Sequence, residues 1–134
     1  MRILAIDVGE KKIGLAVGDT TTRMAFVRPA FLVSSWEEVW PAVQALITNE
    51  DIDQVLVGWP MNTDGTVGVQ ADRVQQFVDE LSQKTSVPII KRDERNSSIA
   101  IQREQQAAGQ KLTRGQEDSL AAQILLESYL METR

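Results

Sequence analysis

The sequence predicts an α/β protein built on a five-stranded mixed sheet. Three strands form an antiparallel meander, two more run parallel to the first, and helices cover both faces. Two observations carry this expectation. Three short apolar runs precede any stretch of helical periodicity, and each of the two later apolar runs lies between helical stretches. Strands joined through helices favour right-handed crossovers, which place helices on both sides of a sheet. The length of 134 residues suits a single domain, residues 1–134, with a substantial core.

The elements follow in order. Arg2 to Val8 reads as a buried strand, Gly9 to Lys12 as a turn, and Ile13 to Val17 as the second strand of a hairpin. Met24 to Val33 reads as a third strand, in which Pro29 marks an edge or a bulge. Ser34 or Ser35 can cap a helix from Trp36 to about Asn49, with Glu37 and Glu38 in its first turn. Pro41 falls early enough in that helix to be tolerated. Gln54 to Val57 is a short strand, followed by a loop from Gly58 to Gly68 that is rich in Gly, Pro and Asn. Val69 to about Lys84 is amphipathic, with Val74, Phe77, Val78 and Leu81 on one face. Val87 to Ile90 is the fifth strand. Ser97 to Ala108 reads as a helix closed by Gly109, and Thr113-x-x-Gln116 resembles a capping box for a last helix ending near Leu130.

Composition narrows the chemistry. There is no cysteine and no histidine, which removes disulfides, thiol chemistry, Ser-His-Asp catalysis and the usual zinc sites. No apolar run approaches the ~20 residues that span a membrane, and the short run before Asp7 is not laid out as a signal peptide. The net charge of −5 argues mildly against non-specific nucleic-acid binding. The charges are polarised, however. Glu37 to Glu80 holds nine acidic residues and one basic residue, Arg73. Lys91 to Arg114 holds six basic residues (Lys91, Arg92, Arg95, Arg103, Lys111, Arg114) and three acidic ones. Such charges also suit an ordinary solvated helix face.

Acidic residues interrupt apolar stretches at Asp7, at the Asp93-Glu94 pair and at Asp118. A carboxylate at the edge of a core is costly unless a cation or hydrogen bonds compensate it. Three such places suggest one site for a hard divalent metal. Asp7 ends a central strand, where α/β proteins bind ligands, although a turn-capping aspartate would look the same. Positions 118, 121, 122, 125 and 129 share a helical face, so Asp118 lies with Ala121, Ala122, Leu125 and Tyr129. An acid in a first helical turn is the alternative, which Glu117 fits better. Neighbours on a strand face opposite ways, so only one of Asp93 and Glu94 can face Asp7, and alternation alone does not choose. A surface pair with Arg92 or Arg95 is the competing reading. The 58–68 loop ends at a helix N-terminus and can contact a phosphate backbone, with Asn62 a candidate, but it matches neither the P-loop nor the dinucleotide fingerprint.

Taken together, the segments resemble the YqgF family, the RuvX-type Holliday-junction resolvase-like proteins assigned to pre-16S rRNA processing. The matching stretches are Ile3-Leu-Ala-Ile-Asp-Val-Gly-x-Lys-Lys-Ile-Gly-Leu-Ala-Val-x-Asp19, Val57-Gly-x-Pro-x-Asn-x-Asp-Gly65, Asp93-Glu-Arg95 and Asp118-Ser-Leu-Ala-Ala-x-Ile-Leu125. They occur in family order over nearly the whole chain. The chain departs from the family at Trp59, Asn96 and Glu117, where apolar residues such as Leu are usual.

The resemblance implies an RNase H-like fold and a nuclease that uses Mg²⁺ or Mn²⁺, with two ions expected. It implies catalytic residues Asp7, Glu94 and Asp118, with Asp93 beside them as a further metal ligand. Lys91, Arg92, Arg95, Lys111 and Arg114 become candidates for phosphate contact. Expected partners are pre-rRNA or branched DNA and no membrane, with the chain a monomer or homodimer in the cytoplasm. Two other readings compete: a nucleotide-binding module of the actin and sugar-kinase type, and a non-catalytic nucleic-acid-binding factor in ribosome assembly.

Overall fold

The computed structural model describes residues 1–9, 12–32, 36–59, 69–93 and 119–132. The sheet has five strands: β1 (Arg2–Val8), β2 (Lys12–Asp19), β3 (Ala25–Leu32), β4 (Gln54–Trp59) and β5 (Ile89–Asp93). Their order across the sheet is β3-β2-β1-β4-β5. β1 is central, antiparallel to β2 and parallel to β4; β3 pairs antiparallel with β2, and β5 parallel with β4. This is the expected meander with two parallel strands.

Strand lengths differ from the sequence reading. β2 runs on to Asp19, and β4 continues through Gly58 and Trp59. β5 begins at Ile89 rather than Val87 and ends at Asp93 rather than Ile90. Pro88 has no N–H to give the ladder, although its carbonyl accepts the Val55 N–H at 2.9 Å. The charged residues Arg92 and Asp93 stay in the strand because Gly58 and Trp59 of β4 are there to pair with them. Charge on an edge strand also deters pairing with foreign strands.

β3 is an edge strand and carries a bulge. Ile13 pairs with Phe31, but Leu15 pairs with Arg28, so Pro29 and Ala30 together stand opposite Gly14. Proline is accommodated where ladder pairing lapses.

Three helices are described. A 3-10 turn at Trp36–Glu38 leads into α1 (Val39–Asn49), with Pro41 in the first turn. α2 is Val69–Lys84, and α3 is Leu120–Glu132. The Ser34/Ser35 cap, the Ser97–Ala108 helix, the Thr113–Gln116 capping box and the remainder of the 58–68 loop lie outside the described residues.

The two faces of the sheet are packed differently. Leu4, Ile6 and Val8 of β1, with Ile13, Leu15, Val17, Val55 and Val57, meet Val39, Trp40 and Val43 of α1 and Val74, Phe77 and Leu81 of α2. Trp40 and Phe77 rings lie 5.0 Å apart, within stacking range. On the other face Ile3, Ala5, Ala16, Ala25 and Leu56 meet Ala122, Leu125, Leu126 and Leu130 of α3. That layer is rich in alanine, so α3 lies close to the strands. A Cβ added at Gly18 would stand 2.8 Å from the Met24 carbonyl oxygen and 2.9 Å from Leu126 Cδ2.

Candidate active site

Strand alternation fixes the face of Asp7. Leu4, Ile6 and Val8 belong to the α1/α2 side, and Ile3 and Ala5 to the α3 side. Asp7 has the parity of Ala5 and so belongs to the α3 side. It is partly exposed between buried Ile6 and buried Val8. Its ladder partner on β2 is Gly14. On the other side, the register Ile6↔Val57 carried one residue further sets Asp7 beside Gly58. The carboxylate at the end of the central strand is therefore flanked on its own face by two residues without side chains. Glycine inside a strand often marks close approach of a ligand or another backbone. The sequence gives Gly14 a place in the second strand but no role, and puts Gly58 in a loop; two glycines inside apolar runs, level with the acid, are the available signal.

α3 approaches this end of the sheet at its N-terminus. Ser119 is fully buried, and its carbonyl accepts the Gln123 N–H at 3.1 Å, so it occupies the N-cap position. Its hydroxyl does not cap the helix. It accepts the Leu15 N–H at 3.0 Å and donates to the Arg28 carbonyl at 2.5 Å. Gln123 Nε2 adds a bond to the Ala25 carbonyl at 3.1 Å. The far end of α3 is tied to the parallel strands. Gln54 Nε2 donates to the Tyr129 hydroxyl at 3.3 Å, and Arg92 donates to Ser128 Oγ at 3.0 Å and pairs with Glu132 at 2.7 Å. α3 thus crosses the sheet from β3 to β5. The Arg92 hydrogen bond, followed by its charge, holds the Glu132 carboxyl below its ordinary value.

The predicted site residues divide accordingly. Asp7 lies fully within the described residues, and Asp93 is the last residue of β5, paired with Trp59. Glu94, Arg95, Asn62, Lys111, Arg114 and Asp118 lie outside them. Lys91 and Arg92 are on opposite faces. Arg92 is on the α3 face with its guanidinium against Ser128, Glu132 and the Tyr129 ring. Lys91 has the parity of Ile89, which packs with the α1/α2 core. Its ammonium lies 4.4 Å from the Trp59 ring centroid and donates to Gln75 Oε1 at 2.7 Å. The departure at Trp59 therefore gives Lys91 an aromatic support.

Asp7 offers hard carboxylate oxygens, and Mg²⁺ and Mn²⁺ are ions that such oxygens hold. The two flanking glycines add no side chain beside it. Among the described residues no helix is long and apolar enough to cross a membrane.

This sheet order, with a helix laid across the face that carries the central-strand acid, defines the class: the fold is RNase H-like. Thermus thermophilus RuvC, solved with a Holliday junction substrate, matches it with a TM-score of 0.66 at 15% identity, over 99% of this chain and 97% of that one. The fowlpox virus Holliday junction resolvase matches with a TM-score of 0.56 at 17% identity, over 98% and 99%. A family model described as RuvX, Holliday junction resolvase, matches residues 1–132, and the chain belongs to this family. Three curated relatives are each provisionally named a pre-16S rRNA nuclease. The protein of Syntrophus aciditrophicus is 32% identical over 132 residues, 97% of this chain and 88% of the relative. That of Chloroflexus aurantiacus is 35% identical over 130 residues, 96% and 85%. That of Geobacillus kaustophilus is 33% identical over 138 residues, 100% of both.

Proposed function

We propose that this protein is a metal-dependent nuclease that hydrolyses nucleic-acid phosphodiesters, with processing of the pre-16S rRNA 5′ end in the cytoplasm as its task. The observation that carries the proposal is Asp7: a partly exposed carboxylate ending the central strand, between Gly14 and Gly58, on the face that α3 crosses. The names of the family and its relatives supply the reaction class and the RNA substrate.

Asp7, Glu94 and Asp118 would hold Mg²⁺ or Mn²⁺, with Asp93 adjacent. Within the Asp93-Glu94 pair Glu94 is the preferred ligand, because RNase H-like sites commonly combine Asp, Glu and Asp. Bound there, the ions supply an activated water and neutralise charge on the leaving oxygen, chemistry that needs no histidine. Lys91, Arg95, Lys111, Arg114 and Asn62 would contact phosphates. Arg92 would hold α3 against β5 as well as lend its charge.

Branched DNA is the second substrate reading, favoured by the resolvase description of the family. Cutting two strands symmetrically would call for a homodimer, whereas trimming RNA needs only a monomer. The test is cleavage of labelled pre-16S rRNA and of a four-way DNA junction with Mn²⁺ or Mg²⁺, wild type beside Asp7→Asn. Expected is RNA cleavage that falls in Asp7→Asn by more than the roughly 10–100-fold cost of losing an outer-shell partner, with an unchanged circular dichroism spectrum. Undiminished cleavage by Asp7→Asn would overturn the site, and junction cleavage without RNA cleavage would overturn the substrate.

A further inference from the structure

We infer that Ser119 is a positioning residue for its chain neighbour Asp118, pinning the start of α3 to the β2–β3 bulge beside Gly14. The inference rests on the reading of Asp118 as a metal ligand. Leu15 and Arg28 are ladder partners at the step where the bulge begins. Ser119 Oγ stands between them, taking the N–H of one and giving its proton to the carbonyl of the other. These bonds cross 104 and 91 residues of chain, and the side chain is fully buried. The next residue of β2 towards the site is Gly14, the ladder partner of Asp7. Asp118 is joined to Ser119 by one peptide link, which keeps its Cα about 3.8 Å from that of Ser119.

Three features separate this arrangement from ordinary helix capping. The hydroxyl sits at the N-cap, where its local use is to accept from the first turn of the helix, yet it bonds two strands instead. It has one donor and can accept, so both partners are served by one oxygen, in fixed positions. The strand groups it meets are irregular because Pro29 and Ala30 stand opposite Gly14, and the bulge aims them at α3. The serine therefore couples the position of β2 and β3 to that of its chain neighbour.

The experiment measures Mn²⁺ affinity by isothermal titration calorimetry, on chains shown to be folded by circular dichroism at the same temperature. Ser119→Ala removes the hydroxyl. Ser119→Cys keeps the volume with poorer hydrogen bonding and carries the same test should the alanine variant not fold. Val43→Ala, in the core of the opposite face, is the control for lost stability. Expected is about a tenfold weaker Mn²⁺ affinity in both Ser119 variants, as for other partners that orient a metal ligand. Val43→Ala should keep wild-type affinity, and Asp118→Asn should lose at least as much as the Ser119 variants. Wild-type affinity in a folded Ser119 variant, with Asp118→Asn impaired, would overturn the positioning role alone. Equal weakening in Val43→Ala would also overturn it, because the effect would then be one of general stability. Wild-type affinity in Asp118→Asn would instead overturn the ligand reading on which the role rests.

Discussion

At the residue scale, the pairing of Arg28 with Glu50 shows how single side chains join elements. Arg28 Nε donates to Glu50 Oε2 at 3.0 Å and Nη2 to Oε1 at 2.5 Å, tying β3 to the residue that ends α1. The Arg28 hydrogen bond, supported by the charges of Arg28 and Arg2, holds the Glu50 carboxyl below 4.5, against the opposing effect of burial. A carboxyl lowered in the folded state binds its proton more readily when unfolded. Its stabilisation is therefore complete above about pH 5 and is lost as pH falls through the folded value. Side-chain exposures of 18% for Glu50 and 31% for Arg28 limit the gain to about 1 kcal/mol. Glu50→Gln should lower the melting temperature at neutral pH, and the difference from wild type should shrink as pH falls below the ordinary carboxyl value and through the lowered folded one. A constant difference down to acid pH in a thermal melt series would show that the ion pair contributes nothing. None of this was legible in the sequence, because a pair 22 residues apart depends on how α1 returns to the sheet.

At the element scale, α3 is held by contact with small residues as well as by hydrogen bonds. Gly18→Ala adds a methyl group 2.8 Å from the Met24 carbonyl and 2.9 Å from Leu126. A backbone oxygen cannot move aside as a side chain can, so the change should destabilise by about 1–3 kcal/mol, read from denaturant midpoints at constant slope. An unchanged midpoint would mean that α3 lies less tightly on β2 than described. The elements themselves were largely readable: the described strands and helices fall where apolar runs and helical periodicity placed them. β5 was misread because Lys91, Arg92 and Asp93 look like the start of a loop. Charge is a sign of exposure, and an edge strand paired on one side only can expose it. The N-cap of α3 was missed for a related reason: Ser119 spends its hydroxyl on distant strands, a use that no local pattern announces.

At the scale of the whole molecule, α3 completes the fold from the far end of the chain. It alone among the described helices covers Ile3, Ala5, Ala16 and Leu56, all fully buried. A chain cut before Ser119 should expose that apolar face, lose its cooperative thermal transition and associate, as size-exclusion chromatography would register. A monomeric, cooperatively melting fragment would show that the other face suffices. The order of acidic motifs was readable along the sequence, but the common face of Asp7 and α3 was not. It follows from a sheet order that places the first strand in the middle.

The unequal layers on the two faces set unequal freedom for neutral drift. On the α1/α2 side the contacts are made by Leu, Ile, Val, Phe and Trp, whose shapes can be traded against one another when volume is conserved. On the α3 side, Ala5, Ala16, Ala25, Ala122 and Gly18 sit near the lower limit of side-chain size. At these five positions almost every substitution is an enlargement, which pushes the helix away from the strands. These small positions on the face of Asp7 should therefore accept fewer substitutions than the large ones of the α1/α2 side. A saturation mutagenesis map should divide along the plane of the sheet.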